Sequence, residues 1–336
     1  MLLKRFARDC QYKPQKGFFA IDKQFSTIYN EQYPTLKGAR YCMASKVRRL
    51  LMCAGMLTIM ILLFSAQEAK AEKGLPVDFT GGAPLNQAFF TDAFHYEDRT
   101  ISVAIDQGRT EEGCDYWVAS VKIAHASQLR TAAANGFDSD MVMDGRYLAR
   151  RVNAVLAIDG DYFSYTGEGY ILRQGELFLN VLVGRRDVLL IDEDGDFHII
   201  EKPKKGEVHK TIEGKKVINA FYFGPALVID GQVHPNMSLD EDMAANDRKQ
   251  RMCIAQVGPL EYKCICCGPP ARGNTGMTLM EFAQLVADQG VQTAYNLDGG
   301  NSCMMLFNNR KINDVESEYT REINDIIYFA SAYGVN

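Results

Sequence analysis

"YNLDGGNSCMML", residues 295–306, sets apolar residues on both sides of an acid, two glycines, an amide and a hydroxyl. A plain hairpin turn needs only two residues of that kind. Five together, Asp298-Gly299-Gly300-Asn301-Ser302, predict a loop that ends one buried strand, opens the next and has a further task. The chain repeats the device once. "AVLAI", 154–158, reads as a buried strand running straight into Asp159-Gly160-Asp161-Tyr162-Phe163. Glycines at strand ends let backbone approach a ligand and expose successive N–H groups that can cradle an anion. The acids can serve as base, nucleophile or hydroxyl acceptor, and paired carboxylates at strand ends suit glycoside hydrolysis. The competing reading is two tight turns capped by their own Asp side chains.

The neighbouring segments are mostly strand-like. "YWVASVKIAH", 116–125, alternates and is rich in β-formers. "ELFLNVLV" follows, then "DVLLIDEDGDFHII", whose Asp-Gly turn between apolar runs predicts a hairpin. "VINAFYFGPALVIDGQV", 217–233, reads as another strand pair, and "RMCIAQV" with "YKCICCG" as a third. "CMMLF", an Asn308-Asn309 turn and "IIYFASA" finish the chain. Residues 141–152 suggest a short helix. "TLMEFAQLVADQG", 278–290, is a clear one: Thr278 and Glu281 make a capping box and Gly290 a stop. The expected class is α+β, a mixed, largely antiparallel sheet with a few packed helices.

With 336 residues, 47% of them apolar, the chain can bury a sizeable core. Its charge is uneven. Residues 1–49 carry 11 Lys/Arg against 3 Asp/Glu, and residues 50–336 carry 26 against 39. So acidic a body disfavours nucleic acid as a partner. Leu50 to Ala66 form an uncharged run behind Lys46, Arg48 and Arg49, and Ala69-Lys70-Ala71 fits a signal-peptidase site. Residues 1–45 therefore read as a cytoplasmic tail or an extension from a mis-assigned start, and 46–71 as a signal peptide or signal anchor. Residues 72–115 read as a linker and lead-in, and 116–336 as the main domain. The expected location is extracytoplasmic, either secreted or held at the membrane through residues 50–66 if that segment is uncleaved.

Several signatures are missing: no P-loop, no G-x-G-x-x-G, no G-x-S-x-G and no H-E-x-x-H. The five histidines lie far apart and outside polar motifs. "DEDGD", 192–196, resembles a calcium loop but lacks EF-hand spacing, which favours a hairpin turn. "KCICCG" lacks paired zinc spacing and reads first as buried strand thiols, with a disulfide as the alternative.

On six landmarks in order, the chain resembles the phosphodiester glycosidase family, whose bacterial members are exopolysaccharide-related. They are "AIDGDYF", "FGPALVIDGQV", "RMCIAQV", "GMTLMEFAQL", "LDGGNSC" and "REIND", spread between Tyr116 and Ala332. The resemblance implies cleavage between a sugar's anomeric carbon and a phosphodiester in a cell-surface or extracellular glycan. Asp298 would then orient a sugar hydroxyl or activate water, with Asp159 or Asp161 as second carboxylate and Glu168 as an outside alternative. Arg251 and Arg321 would clamp phosphate bidentately. Gly299 and Gly300 would add amide donors, with Asn301 and Ser302 beside them on the substrate. No cofactor is required on this reading. Asp159 stands where the family usually has Asn, Met252 where it has Thr, and Asn301 and Cys303 where it has Gly and Ser. The first change adds a carboxyl to a site expected to bind a phosphodiester. Two other readings stand beside this one. One is a non-catalytic module binding glycan or teichoic acid. The other is a metal-dependent phosphodiesterase with Asp159, Asp161 and Asp298 as ligands of a divalent cation.

Overall fold

The computed structural model describes residues 73–235, 237, 244–313 and 321–335. The export segment expected at 46–71 lies outside the described residues. Among the described residues no helix is long and apolar enough to cross a membrane.

The α+β expectation is overturned: the fold is mostly β. The described residues form 19 strands and only two α-helices, α1 (Gly145–Arg151) and α2 (Leu279–Ala287). An eight-stranded sheet runs in the order β1 (His95–Glu97), β2 (Ile101–Arg109), β3 (Asp115–Ile123), β15 (Glu261–Cys267), β14 (Met252–Gly258), β16 (Thr293–Asn296), β12 (Ala226–Ile229) and β13 (Gln232–Val233). A six-stranded sheet follows the order β7 (Glu176–Val181), β6 (Gly169–Arg173), β11 (Lys215–Phe221), β8 (Val188–Asp192) and β9 (Phe197–Ile200), with β10 (Thr211–Ile212) on β11. The third sheet has the order β18 (Arg310–Lys311), β17 (Met305–Phe307), β5 (Ala154–Asp159), β19 (Asp325–Ala330) and β4 (Leu129–Ala133).

Turn chemistry explains this outcome. Gln174-Gly175, Glu213-Gly214, Asp230-Gly231 and Asn308-Asn309 each have positive φ at both residues and close a two-residue hairpin. Mirror-image turns of this kind match the twist of paired strands. One expected hairpin is absent. Residues 217–233 do not pair with themselves across Gly224-Pro225: β11 lies in the six-stranded sheet beside β8, and β12 in the eight-stranded sheet beside β16. The chain changes sheet there, because both runs are apolar enough to be buried in separate layers.

The sheets share one core, which includes Trp117, Ile158, Leu189, Phe221, Ile254 and Phe329. In β19, Ile327 and Phe329 face that core, while Ile326, Tyr328 and Ala330 join the cluster that holds Leu148 of α1. Helix α2 covers the eight-stranded sheet with Leu279, Phe282, Ala283 and Val286. Its capping box forms as expected: Thr278 Oγ1 accepts from the Glu281 amide, and Glu281 accepts from the Thr278 amide at 2.8 Å. Phe282 is fully buried and Met280 is 53% exposed. Phe282→Ala should therefore cost about 3–5 kcal/mol in denaturant unfolding, and Met280→Ala less than about 0.5 kcal/mol.

Candidate active site

Antiparallel pairing brings three polar segments together. Ile326 of β19 lies opposite Asp159, so Asp325 at the start of β19 sits beside the end of β5. On the other flank, Met305 of β17 lies opposite Ile158. The loop 298–302 is thereby delivered to the same strand end. The Asp298 amide donates to the Gly160 carbonyl at 3.2 Å, and the Arg321 amide to the Asn301 carbonyl at 2.8 Å. The two loops singled out from sequence meet, and "REIND" completes the ring.

Asp298 is more accessible than Asp159, Asp161 or Asp325, its side chain 13% exposed, with Arg321 Nη2 at 3.9 Å from Oδ2. Burial raises its carboxyl above the usual range, and the Ser302 hydroxyl, the Arg321 charge and the Gly299 amide pull it partly back. Ser302 links the pair: its Oγ donates to Asp298 and accepts from Arg321 Nε at 3.0 Å. Asp159 is wholly buried. Its Oδ1 accepts from the Met304 amide at 2.8 Å and its Oδ2 has no partner. Burial first, and the Asp298 charge second, push this carboxyl well above the ordinary range. Asp161 has both oxygens engaged, Oδ1 by Arg173 Nη2 at 2.7 Å and Oδ2 by the Tyr222 amide at 2.8 Å.

The other expected residues divide. Gly299 and Gly300 do not present free amides: Gly299 donates to Asp298 Oδ1 at 2.8 Å and Gly300 to the Gln250 carbonyl at 2.9 Å. Their role is close packing. A Cβ on Gly299 would stand 2.6 Å from the Gln250 carbonyl oxygen. Arg251 is buried, with Nη2 donating to the carbonyls of Ala244 and Asp247 at 2.8 Å each and Nε to Met277 at 3.3 Å. It lines the site's outer wall while holding that backbone in place. Glu168 lies outside both cavities of the site and faces Arg185 at 3.9 Å. No group of three or more His, Cys, Asp or Glu among the described residues is arranged to hold a metal ion. The calcium-like turn has an internal cation instead: Lys215 Nζ stands 3.4, 3.1 and 3.0 Å from Asp192, Asp194 and Asp196. The six described cysteines are free and buried.

The cavity has two parts. An inner pocket of about 10 Å³, room for one water-sized group, is bounded by Asp159, Asp298, Asp325, Ser302, Arg321 and Tyr162. An outer basin of about 330 Å³ shares Tyr162, Asp298 and Arg321 with it. The basin is lined by the cations Arg186, Lys249 and Arg321 and by the aromatics Tyr162, Tyr165 and Phe223, with Arg321 over the Tyr162 ring and Arg186 over the Phe223 ring at 5.6 Å each. Tyr162 and Tyr165 stack at 5.2 Å between centroids. Asn296 lies in the basin wall with Nδ2 donating to the Gly224 carbonyl at 2.8 Å and a buried, unpartnered Oδ1. Phe223 joins from an apolar run, Arg186 from the charged triplet Arg185-Arg186-Asp187, and Asn296 from just before the 298–302 loop. Asp325 does carry a signal: like Asp159, it is an acid at the end of a wholly apolar run.

Carboxyls in the inner pocket and cations and aromatics in the outer basin thus line one continuous site. The sequence pattern of the phosphodiester glycosidase family matches residues 152–330, over half of the chain. The chain belongs to that family, one of glycosidase-type hydrolases. Among solved structures it is similar to the catalytic domain of zebrafish N-acetylglucosamine-1-phosphodiester α-N-acetylglucosaminidase, auto-inhibited by its pro-peptide. The two share 16% identity over 78% of this chain and 99% of that one, with a TM-score of 0.56, a likeness of fold. A hypothetical protein from Synechocystis aligns with 16% identity over 68% of this chain and 62% of its own, at a TM-score of 0.45. No curated protein matches by sequence.

Two outcomes follow from the geometry. Ser302→Ala removes the donor that eases ionisation of Asp298, so the acidic limb of the kcat/KM profile should move to higher pH. Gly299→Ala should lower stability by about 1–3 kcal/mol and cut activity, read by thermal melting and turnover together.

Proposed function

We propose that this chain is an extracytoplasmic hydrolase that cleaves the glycosyl–phosphate bond of a sugar-1-phosphodiester in a cell-surface or extracellular glycan. The carrying observation is the Asp298–Ser302–Arg321 arrangement at the junction of the two cavities. It sets one carboxylate and one half-exposed guanidinium side by side. Phosphate is a far better leaving group than an alkoxide, so it needs charge stabilisation more than protonation. Arg321 supplies that charge, with Lys249 and Arg186 nearby on the basin wall. Asp298 takes a proton from the attacking water as its oxygen bonds to the anomeric carbon. The carbon–oxygen bond to phosphate breaks and the phosphate monoester leaves as an anion. The aromatic walls offer apolar surface to a sugar face. The basic-then-apolar segment at 46–71 supports the location.

The test is hydrolysis of UDP-N-acetylglucosamine by the full chain in heavy-oxygen water. Label in the released sugar and none in phosphate is the expected result, with Asp298→Ala at least about 100-fold slower. Label in phosphate would mean attack at phosphorus and would replace this reading with a phosphodiesterase. Saturable binding of glycan with no turnover would replace it with a binding module.

A further inference from the structure

The inner pocket contains more carboxyl groups than its cations can balance. Asp159, Asp298 and Asp325 line it, Asp161 stands behind them as a neighbouring charge, and two guanidiniums answer the four. Arg173 pairs with Asp161 at 2.7 Å and lies 3.8 Å from Asp325, and Arg321 lies 3.9 Å from Asp298. That leaves Asp159 and Asp325 without a dedicated counter-ion. Both are essentially inaccessible to solvent, and Oδ2 of each is buried with no hydrogen-bond partner. Both line the inner pocket. A lone buried carboxylate is far more costly than a lone buried carboxylic acid.

We propose that Asp159 and Asp325 act as neutral carboxylic acids, two O–H donors that receive an acceptor oxygen of the substrate in the inner pocket. This rests on the sugar-phosphate reading above. It assigns the pocket to an oxygen acceptor, not to an ammonium group or a metal cation. It gives Asp325 a place in the site that the loops at 159–163 and 298–302 do not predict. It also accounts for an acid at position 159 in a site that must admit a phosphodiester: held neutral, the group adds no repulsion.

Burial and like charge favour the neutral form at both residues, against the Met304 amide at Asp159 and the Arg173 guanidinium and Asp161 amide at Asp325. Asp159 faces Asp298, Asp325 and the thiols of Cys264, Cys266 and Cys303. Asp325 faces Asp161, Arg173 and Asp298, and burial leads the upward push on its carboxyl, ahead of the Asp161 charge. Arg321 and Glu322 complete the rim. A carboxyl whose proton is held more tightly in the folded chain than in the unfolded one favours folding most at low pH. That contribution is lost as pH rises through the folded-state value. Donor function should disappear over the same range, giving activity an alkaline limb.

The experiment is infrared spectroscopy of the full chain near pH 7, with Asp159→Asn and Asp325→Asn alongside. The expected spectrum has the carbonyl stretch of buried protonated carboxylic acid, reduced in each variant. Absence of that band from the wild type would overturn the proposal whether or not any sugar phosphate is hydrolysed. If either variant fails to fold, NMR of isotope-labelled aspartate carboxyls in the wild type decides by the same criterion. Against UDP-N-acetylglucosamine, each folded Asn variant should lose the alkaline limb of the kcat/KM profile, since its amide is a neutral donor at every pH, whereas Asp159→Ala or Asp325→Ala, with no donor, should lower kcat/KM by about tenfold or more. Asp298→Asn should fall about 100-fold or more. A comparable collapse in folded Asp159→Asn or Asp325→Asn would show that an ionised carboxylate is needed there and would contradict the proposal.

Discussion

Arg173 is the side chain on which the site's construction depends. It is fully buried at the end of β6, with Nη2 on Asp161 and Nη1 on the Ala220 carbonyl of β11. Its guanidinium lies 4.4 Å from the ring centroid of Phe221 and 5.3 Å from that of Phe137. One cation thus ties the six-stranded sheet to the loop that leaves β5, and reaches toward Asp325 at the start of β19. Such a pair adds little net stability over an apolar substitute, but removing one partner leaves an uncompensated buried charge costing about 3–5 kcal/mol. Its value is positional: it holds Asp161 in place and leaves the remaining acids to divide the available charge unequally.

That division separates roles among chemically identical side chains. Asp161 is committed to Arg173 and the Tyr222 amide. Asp298, at the cavity junction, has Ser302, Arg321 and the Gly299 amide to favour its ionised form. Asp159 and Asp325 have burial and like charge to raise their carboxyls. On the proposed reading, environment thereby assigns base, donor and anchor. The close approach at Gly299 matters for the same reason, because it allows the loop to turn against the Gln250 carbonyl and bring Asp298 to the junction.

The sequence is most legible where chemistry is local. Acid-glycine clusters at the ends of apolar runs identify both loops that meet at the candidate site, and the capping box identifies α2. Buried alternation in "KCICCG" holds as well, with Cys264 and Cys266 on one side of β15 and Ile265 and Cys267 on the other. The fold class is misjudged because two short helices carry a strong local signal, whereas three sheets arise from pairings between distant segments. Gly224-Pro225 shows the difficulty: local pattern suggests a turn between partners, while burial demand sends β11 and β12 to different sheets. The amides of Gly299 and Gly300 look available in sequence, yet long-range packing against Gln250 and a bond within the loop engage them. Arg251 looks like a phosphate ligand until the carbonyls of Ala244, Asp247 and Met277 are seen around it. Asp325 carries the same local signal as Asp159, an acid at one end of an apolar run, but only the register of β19 with β5 shows that the two meet.

The central claim is that substrate lies across the two cavities with its phosphate on Arg321 and its anomeric carbon over Asp298. The most direct measurement is a crystal structure with a non-hydrolysable sugar-1-phosphonate bound. The account predicts phosphonate oxygens within hydrogen-bond reach of Arg321, the sugar beside Asp298 and a sugar oxygen toward Asp159 and Asp325. A ligand seated away from Arg321, or with its phosphonate against the inner carboxyls, would contradict it.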